Sequence, residues 1–297
     1  MKILLGLDGS RYSAAAVRFL CEKIALAQAQ VDIVHVLPLV VRPDAAAPRR
    51  QREDNRVPAA TRRWLERHEK RLQSRGLKVS RIVRRGTPTT LLPELAARGE
   101  YDLVVVGAKG RSATPFLPSG SVALSVLEHA PSSVLLVRAP ELKGARSASG
   151  LLAPVPVIFA ADGSRYSTEA AKTFFRLFEI PQMRPTVIAV AQLPEPPVLS
   201  QMQASWREKI IGQIGNAARQ WAGEMKSELG HPGTRPQAKV IRGRPVPAIV
   251  GEAVRQRAQL IVLGSRGAND YWGPRLGSVA LQIARAAPCS VLVVRPR

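Results

Sequence analysis

The chain carries the pattern Gly-x-x-Gly, nine residues, Gly-Ser twice: first at Gly107, Gly110, Gly120 and Ser121, and again at Gly264, Gly267, Gly277 and Ser278. Each copy follows a short apolar run (103–106, 260–263) and leads into a stretch with amphipathic helical spacing. Glycines between a strand and a helix let the backbone turn sharply and approach a ligand closely. The start of the helix then directs free N–H groups and the positive end of its dipole at the loop. Two anion-cradling loops are the expectation; the plain alternative is two tight connections that only turn the chain.

The repetition extends over the whole sequence. Asp162-Gly163-Ser164-Arg165-Tyr166-Ser167 repeats Asp8-Gly9-Ser10-Arg11-Tyr12-Ser13 at an offset of 154 residues, and Val190 matches Val36 at the same offset. Trp221, Leu229, Gly243, Pro245 and Gly264 match Trp64, Leu72, Gly86, Pro88 and Gly107 at an offset of 157. The three-residue difference therefore falls between Val36 and Trp64, where the Pro-, Ala- and Arg-rich stretch 38–57 reads as a surface loop. The 297 residues divide into two copies of one domain, close to the roughly 150 residues of an ordinary domain. The boundaries are placed at 1–140 and 155–297, with 141–154 as a Gly-, Ala- and Ser-containing linker.

Within the first copy, strands are predicted at 3–7, 31–37, 77–83, 101–106 and 133–137. Helices are predicted at about 13–29, from Ala60 to a stop at Gly76, at 89–98, and from Gly120 to about His129. This alternation specifies an α/β fold: two Rossmann-like domains, each a five-stranded parallel sheet covered on both faces. Ligands of such sheets lie outside the carboxyl ends of the strands, where strand order reverses. If the first and fourth strands are neighbours there, Asp8-Gly9-Ser10 and the glycine loop face one crevice. In the long helix at about 204–229, Trp206, Ile210, Ile214, Ala217, Trp221 and Met225 form an apolar stripe read as core. The closing strands are apolar, and an apolar strand at a sheet edge would seek a partner.

The formal charge of +22 attracts polyanions. Yet Arg49, Arg50, Arg62, Arg63, Arg67, Arg71, Arg75, Arg84 and Arg85 are interspersed with Glu53, Asp54, Glu66 and Glu69, and aromatic residues make up only 5%. A solvated, arginine-rich surface is favoured over a nucleic-acid site, and stacking on single strands has little support. Cys21 and Cys289 stand in apolar contexts far apart, as small core residues of a reducing compartment do. Asp8 interrupts the first apolar run too early for a secretion signal or a membrane span, so a cytoplasmic protein with no membrane partner is expected. His35 aligns with Ala189 and His68 with Met225, which favours structural roles for both histidines.

Both halves resemble universal stress protein domains. The resemblance rests on GAKGRSATPFLPSGS and GSRGANDYWGPRLGS, on the first-strand aspartate in LLGLDGS and IFAADGS, on second strands ending IVHVL and VIAVA, and on closing strands SSVLLVR and CSVLVVR. It covers nearly the entire chain apart from the linker and the 38–57 loop. It implies strand order 3-2-1-4-5 and, in the family's nucleotide-binding branch, ATP in the crevice, with or without Mg2+. Carried over residue by residue, it implies that Asp8 and Asp162, with Gly9, Ser10, Gly163 and Ser164, approach the ribose or a cation, and that Val36 and Val190 meet adenine through main-chain groups. Gly107, Gly110, Gly264 and Gly267 would face ribose and phosphates, beside Lys109, Arg111 and Arg266. Gly120, Ser121 and Val122, with Gly277, Ser278 and Val279, would supply the helix start. It further implies that the two halves pair strand against strand as a pseudo-dimer within the chain, with homodimers of whole chains left open.

Two departures stand out: Gly6 and Ala160 occupy positions where many nucleotide-binding relatives have proline, and Tyr271-Trp272 puts bulk into the second loop. Each site residue also has a structural reading: the aspartates and serines as caps of turns and helices, the basic residues as exposed charge. No P-loop ending in Lys-Ser/Thr, no zinc-ligand spacing and no shared Ser-His-Asp arrangement is present, so no catalytic or metal residues are assigned. A nucleotide-dependent sensor or binding module in stress adaptation is the reading. Slow ATP hydrolysis is compatible with it; a slow ATP hydrolase, a member of the family's empty-crevice branch and a basic nucleic-acid-binding protein are the alternatives.

Overall fold

A computed structural model describes residues 1–23, 29–39, 57–111, 119–138, 155–178, 183–230, 234–268 and 276–296. The first half runs β1 (Lys2–Gly6), α1 (Arg11–Lys23), β2 (Gln30–Leu37), α2 (Ala59–Gln73), β3 (Lys78–Arg85), α3 (Pro88–Arg98), β4 (Leu103–Gly107), α4 (Ser121–His129) and β5 (Ser133–Val137). The second runs β6 (Val155–Ala161), α5 (Arg165–Leu177), β7 (Met183–Ala191), α6 (Pro196–Gln201), α7 (Ala204–Glu228), β8 (Gln237–Arg242), α8 (Pro245–Arg255), β9 (Leu260–Gly264), α9 (Ser278–Ala286) and β10 (Ser290–Val294). The predicted linker and most of the 38–57 loop lie outside the described residues. Among those described, no helix is long and apolar enough to cross a membrane.

All ten strands form one sheet in the order β3-β2-β1-β4-β5-β10-β9-β6-β7-β8. Each half has the expected order 3-2-1-4-5 and is parallel throughout. The halves meet at an antiparallel seam, where Val134, Leu135 and Leu136 face Val293, Leu292 and Val291. The two apolar edges thus satisfy each other's backbone groups. Because side chains alternate across a strand, the sheet buries two cores, and each runs through both halves. Ile3, Leu5, Leu135 and Leu292 pack with α1, α2, α5 and α7 on one face. Leu4, Val134, Leu136, Val291 and Val293 pack with α3, α4, α8 and α9 on the other.

Two arginines staple the seam. Arg138, just beyond β5, donates from Nη2 to the carbonyls of Ala284 (2.8 Å) and Arg285 (3.1 Å) in the last turn of α9, and Ser119 Oγ donates to the same Ala284 carbonyl at 2.9 Å. Arg295, just beyond β10, reaches back to the carbonyl of Leu127 in the last turn of α4. Each places a cation at the negative end of the opposite half's helix.

The apolar stripe of α7 departs from expectation. Met225 and, beside it, Ala218 and Ala222 are core, but Trp206 is 58% exposed, and Ile214, Ala217 and Trp221 face a cavity. The buried residues of this 25-residue helix begin only at Ala218, so its first half contributes no buried side chain to the core. Cys21 and Cys289 are buried thiols, and burial pushes Cys289 up to about 12. His35 is also buried, its Nδ1 2.7 Å from the Leu7 carbonyl, and Trp64 stacks edge-on to both His35 and His68.

Two buried carboxylates are fully hydrogen-bonded. Burial alone would raise Asp32, but donation from Ser80 (2.6 Å), Tyr101 (2.7 Å) and Gln30 outweighs it and holds the group below its ordinary value. Glu252, 5% exposed, accepts from Arg255, Gln256 and Lys239, and the Arg255 bond foremost lowers it from 4.5 to about 2. A depressed carboxylate contributes stability that is present above its unfolded pKa and lost as pH falls through the folded one. Urea titrations from pH 7 to pH 2 are therefore expected to show stability falling between about pH 4.5 and 2. Glu252→Gln is expected to be less stable at pH 7 and flatter across that window; an unchanged slope would contradict the assignment.

Candidate functional site

Strand order reverses between β1 and β4 in the first half and between β6 and β9 in the second, and a cavity opens at the carboxyl end of each pair. The first measures about 710 Å³ and the second about 650 Å³, within the range of small-ligand sites.

An aspartate joins the two loops at each crevice. Asp8 Oδ1 accepts from the Ser10 amide (2.9 Å) and Oδ2 from the Arg111 amide (3.1 Å). Asp162 repeats this, with Oδ1 accepting from the Ser164 amide (3.0 Å) and hydroxyl (2.6 Å) and Oδ2 from the Ala268 amide (3.2 Å). The turn-cap reading is thus realised for one oxygen, and the other makes a contact the sequence did not announce, holding the glycine loop.

The glycines divide by task. A Cβ on Gly110 or Gly267 would lie 3.0 or 2.9 Å from the aspartate Oδ2 and would push against the carboxylate that makes the tether. Gly107 and Gly264 line the cavities and also meet a packing demand. A Cβ there would come within 2.7 Å of Tyr12 Cβ or of the Tyr166 main chain, so what demands glycine is the close packing of α1 and α5 on the sheet.

The helix start is also refined. The Gly120 and Gly277 amides are not free; they donate to the carbonyls of Ala108 and Ser265, both at 2.8 Å, and close the loops. These glycines are the N-caps and have no side chain to offer the helix, whereas Ser164 caps α5 by accepting from the Ser167 amide. Ser121 and Ser278 are the first helical residues, not caps. The amides of Ser121, Val122 and Ala123, and of Ser278, Val279 and Ala280, have no acceptor within their helices, and all six residues line the cavities.

Of the predicted residues, Asp8, Val36, Gly107, Lys109, Gly110, Arg111, Gly120, Ser121 and Val122 line the first cavity. Asp162, Val190, Gly264, Arg266, Gly267, Gly277, Ser278 and Val279 line the second. Gly9, Ser10, Gly163 and Ser164 do not; they form the turn behind each carboxylate, with φ of 84° and 76° at the two glycines. Gly6 and Ala160 lie on the cavity floors, while Tyr271 and Trp272 are outside the described residues.

Sequence reasoning missed the opposite walls. In the first cavity these are His35, Thr61 and Leu92; in the second they are Gln192, Gln213, Ile214 and Trp221, from the β7 end and α7. Arg266 also donates to the Tyr166 hydroxyl (3.2 Å). Only the Trp64/Trp221 repeat hinted at this wall.

The profile of the Universal stress protein family matches residues 1–138 and again 156–295. The chain belongs to the universal stress protein family. It is 28% identical over 305 residues to a universal stress protein of Mycolicibacterium smegmatis, covering 99% of this chain and 97% of that one. It is 26% identical over 306 residues to Universal stress protein Rv2623 of Mycobacterium tuberculosis, covering 99% and 96%. In fold it is similar to the crystal structure of a universal stress protein from Archaeoglobus fulgidus, with a TM-score of 0.62 at 19% identity and coverage of 99% and 98%. The tandem universal stress protein arrangement is thus shared along the full length.

Replacing Asp162 with alanine leaves three donors without their acceptor. The variant is expected to lose about 1–3 kcal/mol in urea unfolding, with faster hydrogen exchange at the Ser164 and Ala268 amides. Unchanged exchange at Ala268 would show that the tether does not hold the loop.

Proposed function

We propose that each crevice binds one adenine nucleotide, with ATP as the ligand assigned, and that the chain acts in stress adaptation as a nucleotide-dependent sensor or binding module. The observation that carries this reading is the open first turn of α4 and of α9. Three amides with no side-chain cap face a cavity whose loop is held in place by an aspartate. Oriented amides at a helix start favour a phosphate, and Lys109, Arg111 and Arg266 add positive charge. Apolar residues on the remaining walls, Val36 and Leu92 in one cavity and Val190, Ile214 and Ile249 in the other, suit an adenine ring. The implied nucleotide-binding branch of the family supports the same assignment.

The donor set fits Mg2+ riding on the phosphates. Both oxygens of Asp8 and Oδ2 of Asp162 each accept one main-chain bond and keep a further lone pair to reach a metal or its water, whereas Asp162 Oδ1 is taken by the Ser164 amide and hydroxyl. Asp8 and Asp162 would hold that ion, which neutralises phosphate charge when bound. A carboxylate occupied in tethering a loop is poorly placed as a general base, so holding nucleotide, and not turning it over, is the proposed task.

Denaturing the purified protein and analysing the supernatant is expected to release adenine nucleotide. The double variant Gly110→Val, Gly267→Val places a side chain against each aspartate. It is expected to keep the wild-type far-ultraviolet spectrum and to retain no ATP; a folded double variant with undiminished ATP binding would refute the site.

A further inference from the structure

The outer edge of the first half concentrates charge that the sequence disperses. Residues 59–85, which form α2 and the terminal strand β3, hold ten lysines and arginines against two glutamates. Both glutamates are spent on one partner: Arg81 pairs with Glu66 at 3.4 Å and Glu69 at 2.9 Å. Arg62, Arg63, Arg67, Lys70, Arg75 and Arg84 are exposed and make no ion pair among the described residues. Arg63, Arg67 and Lys70 follow one another at helical spacings of four and three, on one face; in the terminal strand β3, Val79 and Val83 pack in the core under α2 and Ile82 in the opposite core, so Arg81 and Arg85 share the α2 face while Lys78 and Arg84 lie on the other.

The duplication supplies an internal control. The same α–β edge in the second half, residues 216–242, holds five lysines and arginines against two glutamates. The fold is the same at both edges, so it does not require the excess of charge in the first half.

We infer that this edge is an interaction surface for the phosphate backbone of double-stranded nucleic acid, bound without base readout. Arginine predominates, and its planar fork grips phosphate oxygens in pairs. A membrane surface fits less well: an interfacial helix buries an apolar face in lipid, whereas Leu65 and Leu72 of α2 are buried in the protein core and Trp64 packs against it. Single strands fit less well too, because no aromatic residue of this edge is exposed for stacking.

The test is fluorescence anisotropy of the full chain with a labelled duplex of about 20 base pairs, titrated across salt concentration. The wild type is expected to bind with a steep negative salt slope. Arg63→Gln, Arg67→Gln, Arg75→Gln is expected to weaken binding at least about tenfold and to shrink the slope by roughly 0.9 per arginine. The corresponding Lys variants keep the charge and are expected to keep most of the slope. Arg219→Gln, Lys226→Gln, Arg235→Gln removes the same charge from the other half and is expected to change affinity by less than about twofold. Equal weakening by the two Gln variants would overturn the proposal, because the binding would then belong to diffuse net charge. A wild type that leaves the duplex free yet sediments with anionic phospholipid vesicles would also overturn it.

Discussion

A parallel sheet whose strand order reverses must leave a gap, because the connections on either side of the reversal leave in opposite directions. In this chain that gap opens twice, and one carboxylate spans it each time. Asp8 and Asp162 divide their two oxygens between the turn that ends the first strand and the glycine loop that ends the fourth. The glycines at 110 and 267 make room for that bridge, and the loop it steadies closes through the N-cap glycine amide. What remains unsatisfied is the first helical turn, and that turn faces the cavity.

The two crevices belong to one body. The β5–β10 seam merges ten strands, and the apolar layers on both faces continue across it. The helix whose start lines the second cavity has its last turn held by Ser119 and Arg138, and Ser119 itself lines the first cavity. Leu276 stands where the second half would need an equivalent of Ser119, so this hydroxyl contact runs in one direction only. The copies have diverged around a common frame: Ala189 for His35, Gln192 for Pro38 and Arg266 for Lys109.

Much of this was legible in the residues. Short apolar runs and glycine punctuation located the five strands of the first half to within about two residues, and the repeated Asp-Gly-Ser and glycine loops located both crevices. The roles within the loop were less legible. Gly107 and Gly110 look alike in sequence, yet one answers to Tyr12 and the other to Asp8, because the demand for glycine comes from atoms distant in the chain. The far walls were missed because Gln213 and Trp221 become part of a site only when α7 is placed beside the cavity, and helical periodicity cannot say which part of an apolar stripe borders core and which borders a cavity. Asp32 was missed because its partners, Ser80 and Tyr101, come from other elements. The basic edge looked dispersed until the fold showed both nearby glutamates engaged by a single arginine.

The central claim is that the duplicated crevice is a duplicated nucleotide site. Calorimetric titration of nucleotide-stripped protein with ATP tests it most directly. The account predicts two ATP molecules bound per chain; a titration with no binding heat at any temperature tried, matched by no retention of radiolabelled ATP, would contradict it.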